Sequence, residues 1–511
     1  MILSNGASLA AIAPILAVMI TGMIVLLGDS CLKLWRQAKW VSPTISVLGL
    51  VVSAALACSL IGTSGQQLAF SGALTADAFS QACNIILAVI AALAVMGSAT
   101  YLENRGLQHG EYYVLVLFST SGAMLMAAAS ELIVLFVAVE ILSVALYVLA
   151  GYARTERKSE EAALKYFLLG AFAGGFLLYG IALIYGGSSS IVPGQVGTTN
   201  LRALGIYLHQ MPAPNQMFIA GTALLMVGLA FKAALVPFHM WTPDVYEGAP
   251  TSVTAFMAAA AKVGAFAAIL RVFNAFIPIS EYWLIIVQIL AVATMFGGNI
   301  LAVVQDNVKR ILAYSSIAHA GYLMVGISAL TGSGAATDAL KAEAHSAAMG
   351  GITFYLLAYG IMTMGAFGVL IWISRRGRDV QTLNDLKGLV KTDPVAAYTM
   401  LIFMLSLGGI PPTMGFMGKW FLFYATLQAG QLWLAVTLAL ASIISIYYYL
   451  RVVWVMCFTE PDENAVAPGR AVASGGVVVS LIASAAATLL FGVAPGLLHS
   501  LMDAASTVLR P

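Results

Sequence analysis

The 511 residues are 61% hydrophobic and only 9% charged, and the mean hydropathy is +0.93. These values exclude a water-soluble globule and predict an integral membrane protein with no nucleic-acid partner. The four cysteines, Cys31, Cys58, Cys83 and Cys457, lie far apart and form no CxxC or Cys/His cluster, so neither a zinc site nor an iron–sulfur site is expected.

Apolar runs of about 20 residues, each long enough to cross a bilayer, recur along the chain. Taken in order they predict spans near 8–27, 41–61, 79–100, 112–129, 132–153, 161–186, 216–237, 251–274, 282–303, 309–330, 346–374, 394–428, 432–458 and 472–497. The expectation is an all-α polytopic membrane protein with about 14 transmembrane helices. The run from Leu9 to Leu27 reads as a retained first helix, since no basic residue precedes it and no convincing cleavage site follows. Residues 187–215, rich in Gly, Ser and Pro, read as an external loop.

When the loops are assigned alternately to two sides, side A collects Lys33, Arg36, Lys39, Arg105, Arg154, Arg157, Lys158, Lys309, Arg310, Arg375, Arg376, Arg378, Lys387, Lys391 and Arg470. Side B collects Arg202, Lys341 and Arg510. This bias predicts a cytoplasmic side A and both termini on the outer side.

Six basic residues remain inside apolar spans: Lys165, Lys232, Lys262, Arg271, Lys419 and Arg451. Arg271 and Arg451 lie near span ends and are expected to snorkel to the headgroups. Charges nearer mid-bilayer cost about 2.5–3.5 kcal/mol on insertion scales and mark interior, functional positions. Glu140, in VAVEILSVALY, reads as the deepest acid. Glu131 and Glu111 stand at helix starts, where a carboxylate meets the positive end of the helix dipole.

Lys232 precedes Pro237 in FKAALVPFHMW. A proline there removes the amide that would reach the carbonyl of residue 233, so a break is predicted. Broken membrane helices line polar cavities, and Lys232 and His239 are expected to share one. A second break is predicted at Gly408-Gly409-Ile410-Pro411-Pro412, followed by Lys419. Two such breaks far apart are what an internally duplicated transporter would show. Lys262 lies mid-span among alanines, Lys165 lies nearer a cytoplasmic end, and His319 adds a titratable group in the tenth span. A lysine taken out of water holds its proton less tightly and a nearby carboxylate opposes that, so Glu140 and a buried lysine could act as a switch.

The stretch FKAALVPFHMWTPDVYEGAPTSVTAF, from Phe231 to Phe256, resembles the signature of the antiporter-like subunits of NADH-quinone oxidoreductase, respiratory complex I. KYFLLGAF from Lys165, NVKRILAYSSIAHAGY from Asn307 and GIPPTMGFMGKW from Gly409 extend the likeness over nearly the whole chain. The wording TPDVYEGAP is closer to subunit N than to subunits M and L or the Mrp-type antiporters, and the missing long lateral helix separates it from L. The resemblance implies a first block of three helices over 1–111, two inverted five-helix repeats over 112–274 and 282–458, and a last helix over 459–511. It implies proton translocation through Glu140, Lys232, Lys262 and Lys419, supported by Lys165, His239 and His319, with no redox centre and no metal in this chain. NADH, FMN, iron–sulfur clusters and quinone would belong to other subunits. The implied neighbours are subunits M, K and J in the inner membrane of a bacterium. An Mrp-type cation/proton antiporter, or a ferredoxin-, formate- or hydrogenase-linked complex, is the alternative.

Overall fold

The computed structural model describes residues 5–32, 35, 38–61, 67–190, 196–210, 214–374, 379–460 and 475–507. Lys33, Arg36, Arg375, Arg376, Arg378, Arg470 and Arg510 therefore lie outside the described residues. Apolar sequence fixes the architecture: without water to satisfy it, a buried backbone is forced into helices that bond internally.

The helices, in chain order, are α1 (Ala13–Cys31), α2 (Val41–Ile61), α3 (Ala78–Asn104), α4 (Gly110–Ala128), α5 (Leu132–Ala150), α6 (Arg157–Ser188), α7 (Leu201–Gln210), α8 (Gln216–Ala233) and α9 (Trp241–Gly248). They continue with α10 (Thr251–Ala275), α11 (Ser280–Val303), α12 (Val308–Ala329), α13 (Asp338–Ile373), α14 (Pro394–Gly408), α15 (Met414–Gln428), α16 (Leu432–Phe458), α17 (Gly475–Val493) and α18 (His499–Thr507). Among the described residues, 13 helices are long and apolar enough to cross a membrane, and the shorter α14 is continued by α15 after a break. The protein is an all-α polytopic membrane protein, with a helix at each of the expected spans.

Several starts carry side-chain caps. Asp77 and Ser80 form a reciprocal capping box at α3, Asn215 accepts from Phe218 N at α8, and Asn307 accepts from Arg310 N at α12. At α14, Asp393 accepts from Ala396 N, with Pro394 at the first helical position.

The most apolar 18-residue window of α10 is wholly buried, and those of α12 and α13 are 94% buried, whereas that of α2 is 22% buried. The centre of the molecule is thus α10, α12 and α13. Helix α6 packs on α8, α10 on α13, α11 on α12, and α13 on α15.

Some expectations need correction. The external loop over 187–215 contains α7, whose Leu201, Leu204 and Leu208 are buried at helical spacing. A small antiparallel hairpin, β1 (Gln67–Ala69) and β2 (Leu74–Ala76), precedes α3. Lys309 is no loop cation: it lies in the first turn of α12, is 4% exposed and donates to Ala249 O at 2.7 Å. Arg271 does not snorkel. It is 6% exposed and forks onto both oxygens of Asp77, at 2.5 and 2.6 Å, because a guanidinium in the interior needs a bidentate acid more than it needs the headgroups. Arg451 is held by Asp306 and by the carbonyls of Val303 and Gln305. Glu131 is the N-cap residue of α5, but its side chain makes no capping hydrogen bond.

Candidate functional site: two helix breaks and a buried row of lysines

The first break follows Ala233. Ala234 adopts a left-handed conformation (φ 59°) and closes α8, with Leu235 N bonding back to Ala230 O at 2.9 Å. Pro237 cannot donate to the carbonyl of Ala233, and that carbonyl instead accepts from Lys262 Nζ at 2.5 Å. Trp241 Nε1 adds a bond, at 3.2 Å, to the carbonyl of Phe231, which also accepts from Ala234 N at 3.0 Å. The chain resumes as α9.

The second break repeats the device. Gly409 (φ 81°) closes α14, and Ile410 N bonds to Leu405 O at 3.0 Å, the same five-residue reach as at the first break. In an unbroken helix the carbonyls of Leu407 and Gly408 would take amides from residues 411 and 412, both of which are proline. Lys419 Nζ serves them instead, at 3.2 and 3.0 Å. It also lies 4.9 Å from the centre of the Tyr322 ring.

Lys232, 4% exposed, donates to Ser143 Oγ at 2.8 Å and to Tyr166 OH at 3.2 Å. Ser143 stands one helical turn from Glu140 on α5, so Lys232 reaches the face that carries the acid. Glu140 makes no ion pair with it within 4.0 Å but lies within its electrostatic field. Glu140 is only partly buried and rests against Gly174 of α6, where a Cβ would come within 3.0 Å of Oε1. Asp77, the N-cap residue of α3, is more fully buried than Glu140, at 0% exposure, although Glu140 lies in the middle of its helix.

His319, 1% exposed, sits between Tyr355 OH (2.6 Å from Nδ1) and Tyr449 OH (3.1 Å from Nε2). The fields of both Lys419 and Lys262 reach it. Lys232, Lys262, His319 and Lys419 are thus buried, Lys262 at the end of the helix that carries Lys232, and Glu140 stands half-buried beside Lys232. His239 lies within the field of Lys262, and its Nδ1 is buried without a side-chain hydrogen-bond partner among the described residues. Lys165 stands outside the row: 41% of its side chain is exposed, and it pairs with Glu161 and Asp244, both at 2.7 Å.

Sequence reading missed three features. The Asp77–Arg271 pair was visible only as the Asp77-Ala78-Phe79-Ser80 capping pattern. Arg310 bridges Asp244 and Glu247 of α9, at 2.9 and 3.1 Å. Asp379, 10% exposed, gathers Arg105, Tyr101 and Thr251 from the ends of α3 and α10. No signal in the sequence separated Asp379 from an ordinary loop acid. No group of three or more His, Cys, Asp or Glu side chains placed to hold a metal occurs among the described residues.

The chain was compared with known proteins. A family model described as "NADH:quinone oxidoreductase/Mrp antiporter, TM" matches residues 129–445. The chain is 42% identical to NADH-quinone oxidoreductase subunit N of Trichlorobacter lovleyi, over 95% of this chain and 94% of the relative. It is 40% identical to the subunit N of Myxococcus xanthus, over 98% of both chains. Among solved structures, a chain of respiratory complex I from Thermus thermophilus superposes with a TM-score of 0.77 at 33% identity, covering 96% of this chain and 99% of that one. A chain of an archaeal membrane-bound sulfane sulfur reductase shares the fold, with a TM-score of 0.81 at 22% identity over 99% and 98% of the two chains. With the family model spanning more than half of its length and these relatives matching it almost end to end, the chain belongs to the NADH:quinone oxidoreductase/Mrp antiporter transmembrane family, within the subunit N group.

Proposed function

We propose that this chain is a proton-translocating membrane-arm subunit of an NADH-quinone oxidoreductase, driven by electron transfer to quinone elsewhere in the complex. The observation that carries this reading is the buried row itself. Lys262 and Lys419 each rest on carbonyls that a proline has stripped of their amides. Such carbonyls hold an ammonium or, when the lysine gives up its proton, a water.

Lys232 is the switch partner of Glu140. In the arrangement described, the ammonium is bonded to Ser143 and Tyr166 rather than to the acid. Drawing Glu140 closer favours the charged lysine, and withdrawing it favours release. Lys262 and His319 pass the charge on and Lys419 ends the row, while His239 and Lys165 support the two flanks. Moving one charge across 100 mV takes about 2.3 kcal/mol, well within what such a rearrangement supplies.

The chain itself carries no redox centre in this reading. NADH, FMN, iron–sulfur clusters and quinone belong to other subunits, and M, K and J are its neighbours in a bacterial inner membrane. The two breaks, with matching caps and proline-freed carbonyls, support repeats over 112–274 and 282–458, flanked by 1–111 and 459–511. Side A faces the cytoplasm and the termini face outward.

The test is the whole complex in vesicles, with quinone reduction and a pH-sensitive dye followed together. Glu140→Gln, Lys232→Met and Lys419→Met are each expected to lower pumping by at least about tenfold, the effect of ~1.4 kcal/mol on a barrier. Normal pumping by all three overturns the reading. If the purified chain alone exchanges Na⁺ or K⁺ for H⁺, it is an antiporter of the Mrp type.

A further inference from the structure

Lys232 has two hydroxyl partners, and they differ in what they can do once the lysine has lost its proton. Ser143 Oγ accepts from Lys232 at 2.8 Å and commits its own proton to the carbonyl of Val139, at 2.5 Å. It can therefore only accept. Tyr166 OH, at 3.2 Å, also accepts from Lys232, and its own proton has no hydrogen-bond acceptor among the described residues. A phenol is both donor and acceptor, whereas an ionised carboxylate only accepts. Tyr166 can thus serve the ammonium and, after discharge, turn its proton onto the lone pair of the amine. Glu140 can serve only the ammonium.

The phenol is held firmly where it stands. Tyr166 is 0% exposed. Its ring stacks on Trp241 of α9, 4.4 Å between centres and 10° between planes, and meets the edge of Tyr147 of α5 at 4.8 Å. The face of α6 that carries Tyr166 continues with Gly170 and Gly174, one and two turns further on. A Cβ on Gly170 would strike the Tyr147 hydroxyl, and one on Gly174 would come within 3.0 Å of Glu140 Oε1. One face of α6 therefore bears on Lys232, Tyr147 and Glu140 in turn. The tyrosine fixes the lysine, and the bare backbone at Gly174 leaves room for the acid.

We propose that Tyr166 is the positioning residue of the Glu140–Lys232 switch: its hydroxyl holds the charged lysine off the acid and then donates to the discharged amine. The proposal rests on the translocation reading above. No bond of Tyr166 breaks in this role. The proton leaves Lys232 along the buried lysines, and the hydroxyl only rotates about its C–O bond. Without it, the ammonium turns to Glu140 and closes into an ion pair, and the neutral amine loses its donor, so release becomes slow.

The test uses the whole complex in vesicles, with quinone reduction and proton uptake followed together. Tyr166→Phe keeps the ring and its stack on Trp241 and removes only the hydroxyl. Pumping is expected to fall about tenfold. A structure of that variant by electron cryo-microscopy is expected to show Lys232 paired with Glu140. Glu140→Asp, which shortens the acid by one methylene and draws it back from the lysine, is expected to lower pumping by itself but to restore it about threefold or more when added to Tyr166→Phe. A packing defect at Tyr166 would not be relieved by a shorter acid. Wild-type pumping by Tyr166→Phe, a double variant no better than Tyr166→Phe, or a Lys232 that stays clear of Glu140 in the variant each overturns the proposal. Lys232→Met in the same preparation separates the two ideas. If it pumps normally, the translocation reading fails; if it stops pumping while Tyr166→Phe does not, only the role of Tyr166 fails.

Discussion

Lys262 Nζ donates to the carbonyl of Ala233 at 2.5 Å, across the gap that Pro237 opens in its own helix. One side chain therefore caps a helix end and, in the proposed function, also carries the translocated charge. Replacing it by methionine leaves the Ala233 carbonyl buried and unpaired, a loss of about 1–3 kcal/mol. Lys262→Met is expected to lower the melting temperature of the complex as well as to stop pumping. Unchanged melting would mean that water already serves the carbonyl.

Arg271 and Asp77 form a desolvated pair, with Arg271 also bonded to Ala127 O at 2.8 Å. Removing one partner strands the other charge in the interior, at about 3–5 kcal/mol. Arg271→Met and Asp77→Leu should each reduce the assembled subunit, and the double variant should recover much of it. The measure is the amount of intact complex on a native gel. A double variant worse than either single one would contradict the pairing.

Acid should loosen the loop at Asp379. Burial alone would raise this carboxyl, but the charges of Lys309 and Arg105 and the hydrogen bonds from Thr251 and Tyr101 outweigh it and hold the carboxyl below the usual range. A carboxyl whose folded pKa is depressed adds stability that is complete above its unfolded value, about 3.9, and is lost as pH falls through the lower folded value. Asp379→Asn is expected to melt earlier at pH 7 and to lose less on acidification than the wild type. Parallel melting curves against pH would show that Asp379 contributes nothing.

At the second break, a Cβ on Gly415 would run into the carbonyl of Ser406, and Gly415 N donates to Ser406 Oγ at 3.1 Å. Backbone on both sides leaves nothing to give way. Gly415→Ala should cost about 1–3 kcal/mol or more and pull α15 away from α14, carrying Lys419 off its carbonyls. Pumping would fall with quinone reduction less affected, and an unaltered pumping ratio would refute the close approach.

The sequence alone determined the class of the protein, the place of its spans and both helix breaks. These follow from local rules: length of apolar run, loss of an amide at proline, and the cost of a charge in lipid. It also picked out Lys232, Lys262 and Lys419, because a lone charge in an apolar run stands out. Partnership was decided only by the tertiary structure. Arg271, expected at the headgroups, is paired with Asp77, 194 positions away; Lys309, counted in a loop, is buried; and Lys165, expected near a cytoplasmic end, is partly exposed and paired with Glu161 and Asp244. Whether a charge near a helix end turns to water or to an acid depends on the neighbouring helix, and periodicity within one helix carries no information about what packs against it. The two proline breaks were legible, but not that Lys262 would serve the carbonyl freed on another helix.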